Sequence, residues 1–383
     1  MRNFPPAQIA RSLIRCALFF LPLALAAADA PAPIKVGQFA SLTGKEASFG
    51  VAAHKGIVLA VEELNAHGGV LGRPIDFLVE DIQSKSGESA TAVKKLISRD
   101  KVVAILGGNA SSNSLEAAPI CQAAHVPMIA ITSTNPKVTE MGTYIFRACF
   151  IDPFQGAVLA KFAARTLHAQ RVALLTSVSA PYSVGLSKVF RDRFTEAGGE
   201  IIAEQKYSEG DKDFRAQLTA IKALNPDAIA ATGYYTEAAL ICQQARSLGI
   251  SVPIFGGDGW EAPQLVELGG KAVEGTYYST HYSAESPAPE VRAFIRKYQA
   301  HYDNEVPDAV AALGYDAMML LADAMKRAGT TDGPKVRDAL AATKNFPGVT
   351  GSTTIDAKRN TSKPAVVLMV RDGKAQFVES VMP

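Results

Sequence analysis

Val102-Val-Ala-Ile-Leu-Gly-Gly-Asn-Ala-Ser-Ser-Asn-Ser114 decides the fold. Its apolar run, 102–106, is what a parallel strand buried on both faces requires. Two glycines then turn the chain, a polar run follows (Asn109, Ser111, Ser112, Asn113), and Leu115, Ala118 and Ile120 open a helical pattern. Strand, glycine turn and helix start together form the place where α/β proteins bind ligands. The unpaired N–H groups of the first helical turn and the positive end of the helix dipole favour an anion there. A serine at the helix start can cap it and still offer its hydroxyl to a ligand. A second stretch, Pro127-Met-Ile-Ala-Ile-Thr-Ser-Thr-Asn-Pro136, repeats the plan, a buried strand running into hydroxyl residues. Either stretch alone reads equally well as an ordinary strand end with a cap; their adjacency favours a site.

Working outward, the 383 residues are 48% hydrophobic and 20% charged, the balance of a folded chain of about two domains. The first 28 residues carry Arg2, Arg11 and Arg15, the apolar run Cys16-Ala-Leu-Phe-Phe-Leu-Pro-Leu-Ala-Leu, and then Ala26-Ala-Ala28. That order is a secretory signal. Pro22 interrupts the run, which falls short of the ~20 residues a membrane span needs. Cleavage is expected after Ala28 or Ala30, and Ile14-Arg15 before Cys16 does not resemble a lipidation motif. Removing 1–28 takes three of the 39 basic residues and none of the 37 acidic ones, leaving a net charge of −1. A near-neutral chain gives no electrostatic reason to expect nucleic acid or an anionic membrane surface. Cys121, Cys149 and Cys242 are odd in number, lack metal-site spacing and stand in apolar surroundings, so they read as small buried hydrophobes. No metal and no cofactor are expected.

Taken in order, a strand is expected over 34–40, a helix over 47–67 stopped by Gly68-Gly69, a strand over 74–81 and a helix over 86–99. The opening stretch and the strand before Thr132 follow. The phrase then restarts with strands over 144–148, 171–176, 200–206, 227–231 and 252–255. Helices over 154–168, 183–197, 214–224 and 237–248 separate them. Strands alternating with helices of 10–15 residues mean parallel sheets covered on both faces, and the phrase plays twice. The expected fold is therefore α/β, with two doubly wound Rossmann-like lobes. The last third breaks the alternation: helices over 289–302, 309–328 and near 336–342 precede short strands, two of them joined across Asp372-Gly373. Helices with no strand between them pack back on an earlier lobe, so the chain crosses between lobes more than once.

Catalytic signatures are absent: no GxSxG elbow, HExxH, P-loop or GxGxxG after the first strand, and six scattered histidines. What recurs is a polar or aromatic residue just after a strand end. Phe49, Ser111, Thr132 and Thr134 occupy such places in the first half; Tyr182, Tyr234 and Asp258 do so in the second. Singly, Phe49 reads as core, Tyr182 as turn packing and Asp258 as an Asx turn. Facing one another across a cleft they suit a small zwitterion. Hydroxyls and N–H groups would take a carboxylate, Asp258 an ammonium, and the aromatics an apolar tail.

An ordered series of segments now resembles a known family. Lys35-Val-Gly-Gln with Leu42-Thr-Gly, Ala66-His-Gly-Gly-Val-Leu-Gly-Arg-Pro74, Asn109-Ala-Ser-Ser and Thr132-Ser-Thr-Asn-Pro136 lie in the first half. Tyr182-Ser-Val-Gly, Lys212-Asp-Phe214, Gly257-Asp-Gly-Trp260 and Ala312-Leu-Gly-Tyr-Asp-Ala317 lie in the rest. Essentially the whole mature chain resembles the Leu/Ile/Val-type solute-binding proteins of branched-chain amino-acid ABC transporters, the type I periplasmic binding proteins. The resemblance implies two lobes joined by a three-strand hinge that close on the ligand. Their expected extents are 31–151 with 282–350, and 152–281 with 351–383. It also implies that Ser111, flanked by Ala110, takes the ligand carboxylate. Thr134, with Thr132 and Ser133, would contact ammonium and carboxylate; Asp258 would pair with the ammonium. Tyr182 and Tyr234 match aromatics of the closing lobe, and Phe49 an aromatic wall.

Two departures stand out. Gln83 and Ala110 occupy the places where some members carry a disulfide, and Asp258 stands where some carry Glu. The expected protein is a monomeric periplasmic receptor, not an enzyme, that delivers a hydrophobic amino acid to an inner-membrane ABC permease. The alternatives are a sensor of the same fold for amides, urea or small aromatic acids, and a periplasmic hydrolase.

Overall fold

In the computed structural model the described residues are Met1 and 31–381, so the expected signal lies almost wholly outside them. Five strands form the first sheet: β1 (Ile34–Ala40), β2 (Ile75–Asp81), β3 (Ala104–Gly107), β4 (Met128–Ala130) and β5 (Ile145–Arg147). All are parallel, in the order β2-β1-β3-β4-β5. Between them run α1 (Ala47–Ala66), α2 (Glu88–Ser98), α3 (Ser111–Ala124) and the single turn α4 (Lys137–Glu140). The aliphatic strands β3 and β4 are wholly buried, as their unbroken apolar sequence requires.

The second lobe alternates α5 (Asp152–Arg165), β6 (Arg171–Ser177), α6 (Pro181–Glu196), β7 (Glu200–Tyr207), α7 (Arg215–Ala223) and β8 (Ala228–Ala231). It continues with α8 (Tyr235–Ser247), β9 (Ile254–Gly256), α9 (Pro263–Gly269) and β10 (Tyr277–Thr280). The chain then returns to the first lobe with α10 (Pro289–His301), α11 (Ala309–Ala328) and α12 (Gly333–Ala341). A small antiparallel sheet follows, built from β11 (Phe346–Gly348), β12 (Gly351–Ile355) and β13 (Thr361–Ser362). Finally β14 (Ala365–Arg371) and β15 (Lys374–Val381) add antiparallel strands to the second sheet, whose order is β15-β14-β10-β9-β8-β6-β7.

Two differences from the sequence reading bear on the large sheets. The strand near 145 closes the first sheet rather than opening the second: Met128, Ile129 and Ala130 pair with Ile145, Phe146 and Arg147. And β10, between β9 and β14, has no counterpart among the expected strands. Its Tyr-Tyr-Ser-Thr sequence lacks the aliphatic run that marks its neighbours.

The order positions the site. In the first sheet β1 and β3 are neighbours but lead their chains to opposite sides; β6 and β8 do the same in the second. At such switch points the loops after the strands splay apart and leave a crevice. Phe49 and Ser111 follow β1 and β3; Tyr182 and Tyr234 follow β6 and β8.

Candidate functional site

After β3 the chain turns at Gly108, whose φ is +79° and where a Cβ would sit 1.8 Å from Ser114 Oγ. Only glycine serves there. Ala110, extended, is the cap residue of α3, and its carbonyl accepts from the amides of Asn113 (3.1 Å) and Ser114 (3.3 Å). The helix provides no acceptor for the amides of Ser111 and Ser112, so they remain to bind a ligand. The Ser111 hydroxyl, buried, accepts from the Asn135 amide at 3.3 Å. Asn109 Nδ2 donates to Thr132 Oγ1 at 3.2 Å, and that hydroxyl donates to Asn109 O at 3.0 Å.

From the second lobe Tyr182 and Tyr234 stack, centroids 5.3 Å apart and planes 22° from parallel. Phe49 meets Tyr234 edge-on at 5.9 Å, an aromatic contact between the lobes. Tyr182 Oη accepts the Gly259 amide at 3.1 Å, which pins the turn carrying Asp258. Gln155 Nε2 donates to Asp258 Oδ1 at 2.9 Å, and His281 Nε2 lies 3.0 Å from Asp258 Oδ2. The His281 ring is buried against Phe150, centroids 3.8 Å apart and planes tilted by 30°. Burial lowers the His281 pKa, and this outweighs the pull of Asp258 in the other direction. A neutral imidazole donating from Nε2 therefore holds Asp258. Both partners of the carboxylate are neutral, so its charge stays available to a cation.

Phe49, Ser111, Thr132, Tyr182, Tyr234 and Asp258 line one narrow cavity of about 20 Å³, together with Asn109, Gly259, Glu261, His281 and Val310. No lysine or arginine lines it. The site has an anion-binding end at α3 and a carboxylate on the facing lobe, with aromatic and aliphatic wall between. Such an arrangement accepts a zwitterion with an apolar body.

Three of the expected residues lie behind the cavity rather than on it. Ala110 spends its carbonyl on the helix cap. Ser133 is fully buried, its hydroxyl pairing with Gly108 O and Ser114 Oγ, both at 2.7 Å, and it holds the two loops together. Thr134 is also buried, its hydroxyl turned toward Asp152. Burial pushes the Asp152 carboxyl up to about 8, against the opposing pull of the Thr134 hydroxyl. Conversely, Gln155, Glu261 and His281 are site residues that sequence reasoning passed over. Glu261, three residues beyond Asp258 in the same turn, carried a signal; a lone Gln and a lone His did not.

Cys121, Cys149 and Cys242 are buried free thiols. Among the described residues no group of three or more His, Cys, Asp or Glu is placed to hold a metal ion, and no helix is long and apolar enough to cross a membrane.

Residues 33–375 match the family model described as periplasmic binding protein. The chain is 30% identical over 346 residues to a Leu/Ile/Val-binding protein homolog 2 of Brucella abortus, covering 90% of this chain and 92% of that one. Among solved structures, the leucine-binding protein LivK of Thermotoga maritima superposes with a TM-score of 0.88 at 42% identity, covering 91% of this chain and 99% of that one. LivJ of Streptococcus pneumoniae, in complex with isoleucine, gives 0.87 at 36%, covering 92% and 100%. A solute-binding protein of Rhodopseudomonas palustris BisB5, in complex with 3,4-dihydroxybenzoic acid, gives 0.83 at 26%, covering 92% and 97%. With its two α/β lobes, its cleft at facing switch points and a family match spanning nearly all described residues, the chain belongs to the periplasmic binding proteins.

Proposed function

We propose that this protein is the receptor of an ABC importer, capturing a free hydrophobic amino acid, of branched-chain type, between its lobes and handing it to a membrane permease. The observation that carries the reading is Asp258, a cavity-facing carboxylate held, among the described residues, by neutral Gln155 and His281, opposite the first-turn amides of α3. An α-ammonium on Asp258 and an α-carboxylate on the Ser111 and Ser112 amides would leave the ligand side chain against Phe49 and Val310. The names of the Brucella, Thermotoga and Streptococcus relatives agree with this class.

An aromatic acid is the second reading, favoured by the dihydroxybenzoate complex of the Rhodopseudomonas relative. Such a ligand has no ammonium and would leave Asp258 uncompensated in a closed cleft, which costs several kcal/mol unless the charge is lost. Calorimetry with leucine, isoleucine, valine and benzoate separates the two. We expect leucine-class binding and no benzoate binding; benzoate binding without amino-acid binding overturns the proposal.

In this reading residues 1–28 direct export to the periplasm and the receptor acts as a monomer. The lobes comprise 31–151 with 282–350 and 152–281 with 351–383. Contacts of Arg359 and Asn360 with Thr139 favour placing the last crossing nearer to β14.

A further inference from the structure

Glu261 has no role in the zwitterion scheme, yet it is buried in the wall of the same cavity. It follows β9 of the second lobe, while its Oε1 accepts the Ala309 amide at 3.2 Å. Ala309 is the first residue of α11, which packs along α1 in the first lobe. The bond therefore spans the cleft and has to break when the lobes part. Its other oxygen, Oε2, is buried with no hydrogen-bond partner among the described residues.

The groups facing it are almost all acidic or neutral. Asp308 caps α11 and Asp258 stands in its own turn. Tyr278 and Thr280 come from β10, Tyr282 lies just beyond it, and neutral His281 shares the cavity. Lys55 acts on Asp308 rather than on Glu261, and its ammonium pairs with Glu305. An ionised Glu261 would add to Asp258 and Asp308 a further negative charge in a closed, low-dielectric space, where the one expected cation, the ligand ammonium, is taken by Asp258.

We infer that Glu261 is an inter-lobe latch that closes as a carboxylic acid, so that capture of the ligand takes up a proton from solvent. The inference rests on the reading of this chain as an amino-acid receptor. Burial beside Asp308 raises the Glu261 carboxyl to about 8 in the closed form, whereas a carboxyl at an open cleft is ionised above its ordinary value near 4.5. The sign follows from linkage. The state with the raised pKa is favoured at low pH, so affinity falls as pH rises through the neutral range and levels off above about 8.

The test is leucine calorimetry at pH 7.0–7.5 in two buffers of different ionisation enthalpy, with Glu261→Gln, which keeps His281, as the reference. Wild type is expected to take up about one proton per leucine and to lose up to about tenfold in affinity per pH unit. Glu261→Gln keeps the acceptor for the Ala309 amide and is expected to take up none, with a flat pH profile. Equal proton uptake in both proteins, or none in wild type, overturns the latch. If leucine fails to bind wild type at all, the receptor reading is what fails, and Trp260 next door then decides the latch. Its fluorescence in ligand-free protein should change as pH falls from about 8 towards 4.5, where protonation favours the latched form, in wild type and not in Glu261→Gln; the same profile in both proteins overturns the latch as well.

Discussion

In the proposed receptor Asp258 and Ser111 would hold opposite ends of the ligand, with different economy. The carboxylate is a single group, so Asp258→Ala removes the whole cation-binding end of the site. Leucine binding should weaken by about 2–5 kcal/mol, the usual loss when one partner of a buried charged contact is truncated. Because Gln155 and His281 lose a partner too, calorimetry should include 4-methylpentanoate, which is leucine without its ammonium. Wild type should discriminate strongly between the two ligands and Asp258→Ala hardly at all; discrimination that survives the substitution places the ammonium elsewhere. Ser111 shares its task with backbone. Ser111→Ala leaves the amides of residues 111 and 112 in place and removes a hydroxyl that already accepts from the Asn135 amide. Its cost should be about 0.5–1.5 kcal/mol. A loss equal to that of Asp258→Ala would mean that the hydroxyl, not the amides, holds the carboxylate.

At the scale of elements, α1 and α11 carry the return of the chain to the first lobe, and they approach through glycine. A Cβ at Gly56 would lie 1.9 Å from Ala311 O, and one at Gly314 would lie 2.4 Å from Ala53 O. In an exposed helix, alanine for glycine gains about 1 kcal/mol of helix propensity. Here the obstacle is backbone, which cannot swing aside, so Gly56→Ala should destabilise by about 1–3 kcal/mol, read as a lower denaturation midpoint at unchanged slope. A rise in the midpoint would show that the two helices can separate at no cost. Elements of this kind were partly legible in the sequence. The aliphatic strands β1, β3, β6 and β8 and the glycine-stopped helices announce themselves, because burial on both faces demands an unbroken apolar run. Phe49, Ser111, Tyr182, Tyr234 and Asp258 were legible for the same reason, since each follows such a strand. What stayed hidden depends on partners distant in the chain. Tyr277–Thr280 is a strand only because β9 and β14 flank it. Gln155 and His281 matter only because folding brings them onto Asp258, 103 and 23 residues away. Ser133 and Thr134 lie on the same loop as Thr132, yet only the fold shows that their hydroxyls turn inward, away from the cavity.

For the molecule as a whole, affinity is the product of contacts with the ligand and the ease of closing. A ligand that touches both lobes selects the closed form, and anything that stabilises this form alone adds to affinity without touching the ligand. Several contacts span the lobes away from the cavity: Asn135 Nδ2 donates to Pro181 O at 2.8 Å, Lys45 pairs with Glu209 at 3.5 Å, and Ser48 bonds to Gln264. Tyr235 gives the cleanest case. Its hydroxyl donates to Lys45 O at 2.7 Å, between α8 and the loop before α1, and it is not among the residues lining the cavity. Its ring rests edge-on against Phe49 at 5.0 Å, a contact that phenylalanine keeps. Tyr235→Phe therefore removes one inter-lobe hydrogen bond and little else. It should weaken leucine binding by about 0.5–1.5 kcal/mol, roughly two- to tenfold. The loss should appear as faster dissociation, since opening is what the bond resists. The stability of the ligand-free protein, whose open form has no such bond to lose, should stay the same. If stopped-flow measurements find dissociation unchanged while the ligand-free protein becomes less stable, the bond persists without ligand. The lobes would then be shut at rest, and capture would have to proceed by some motion other than their closing.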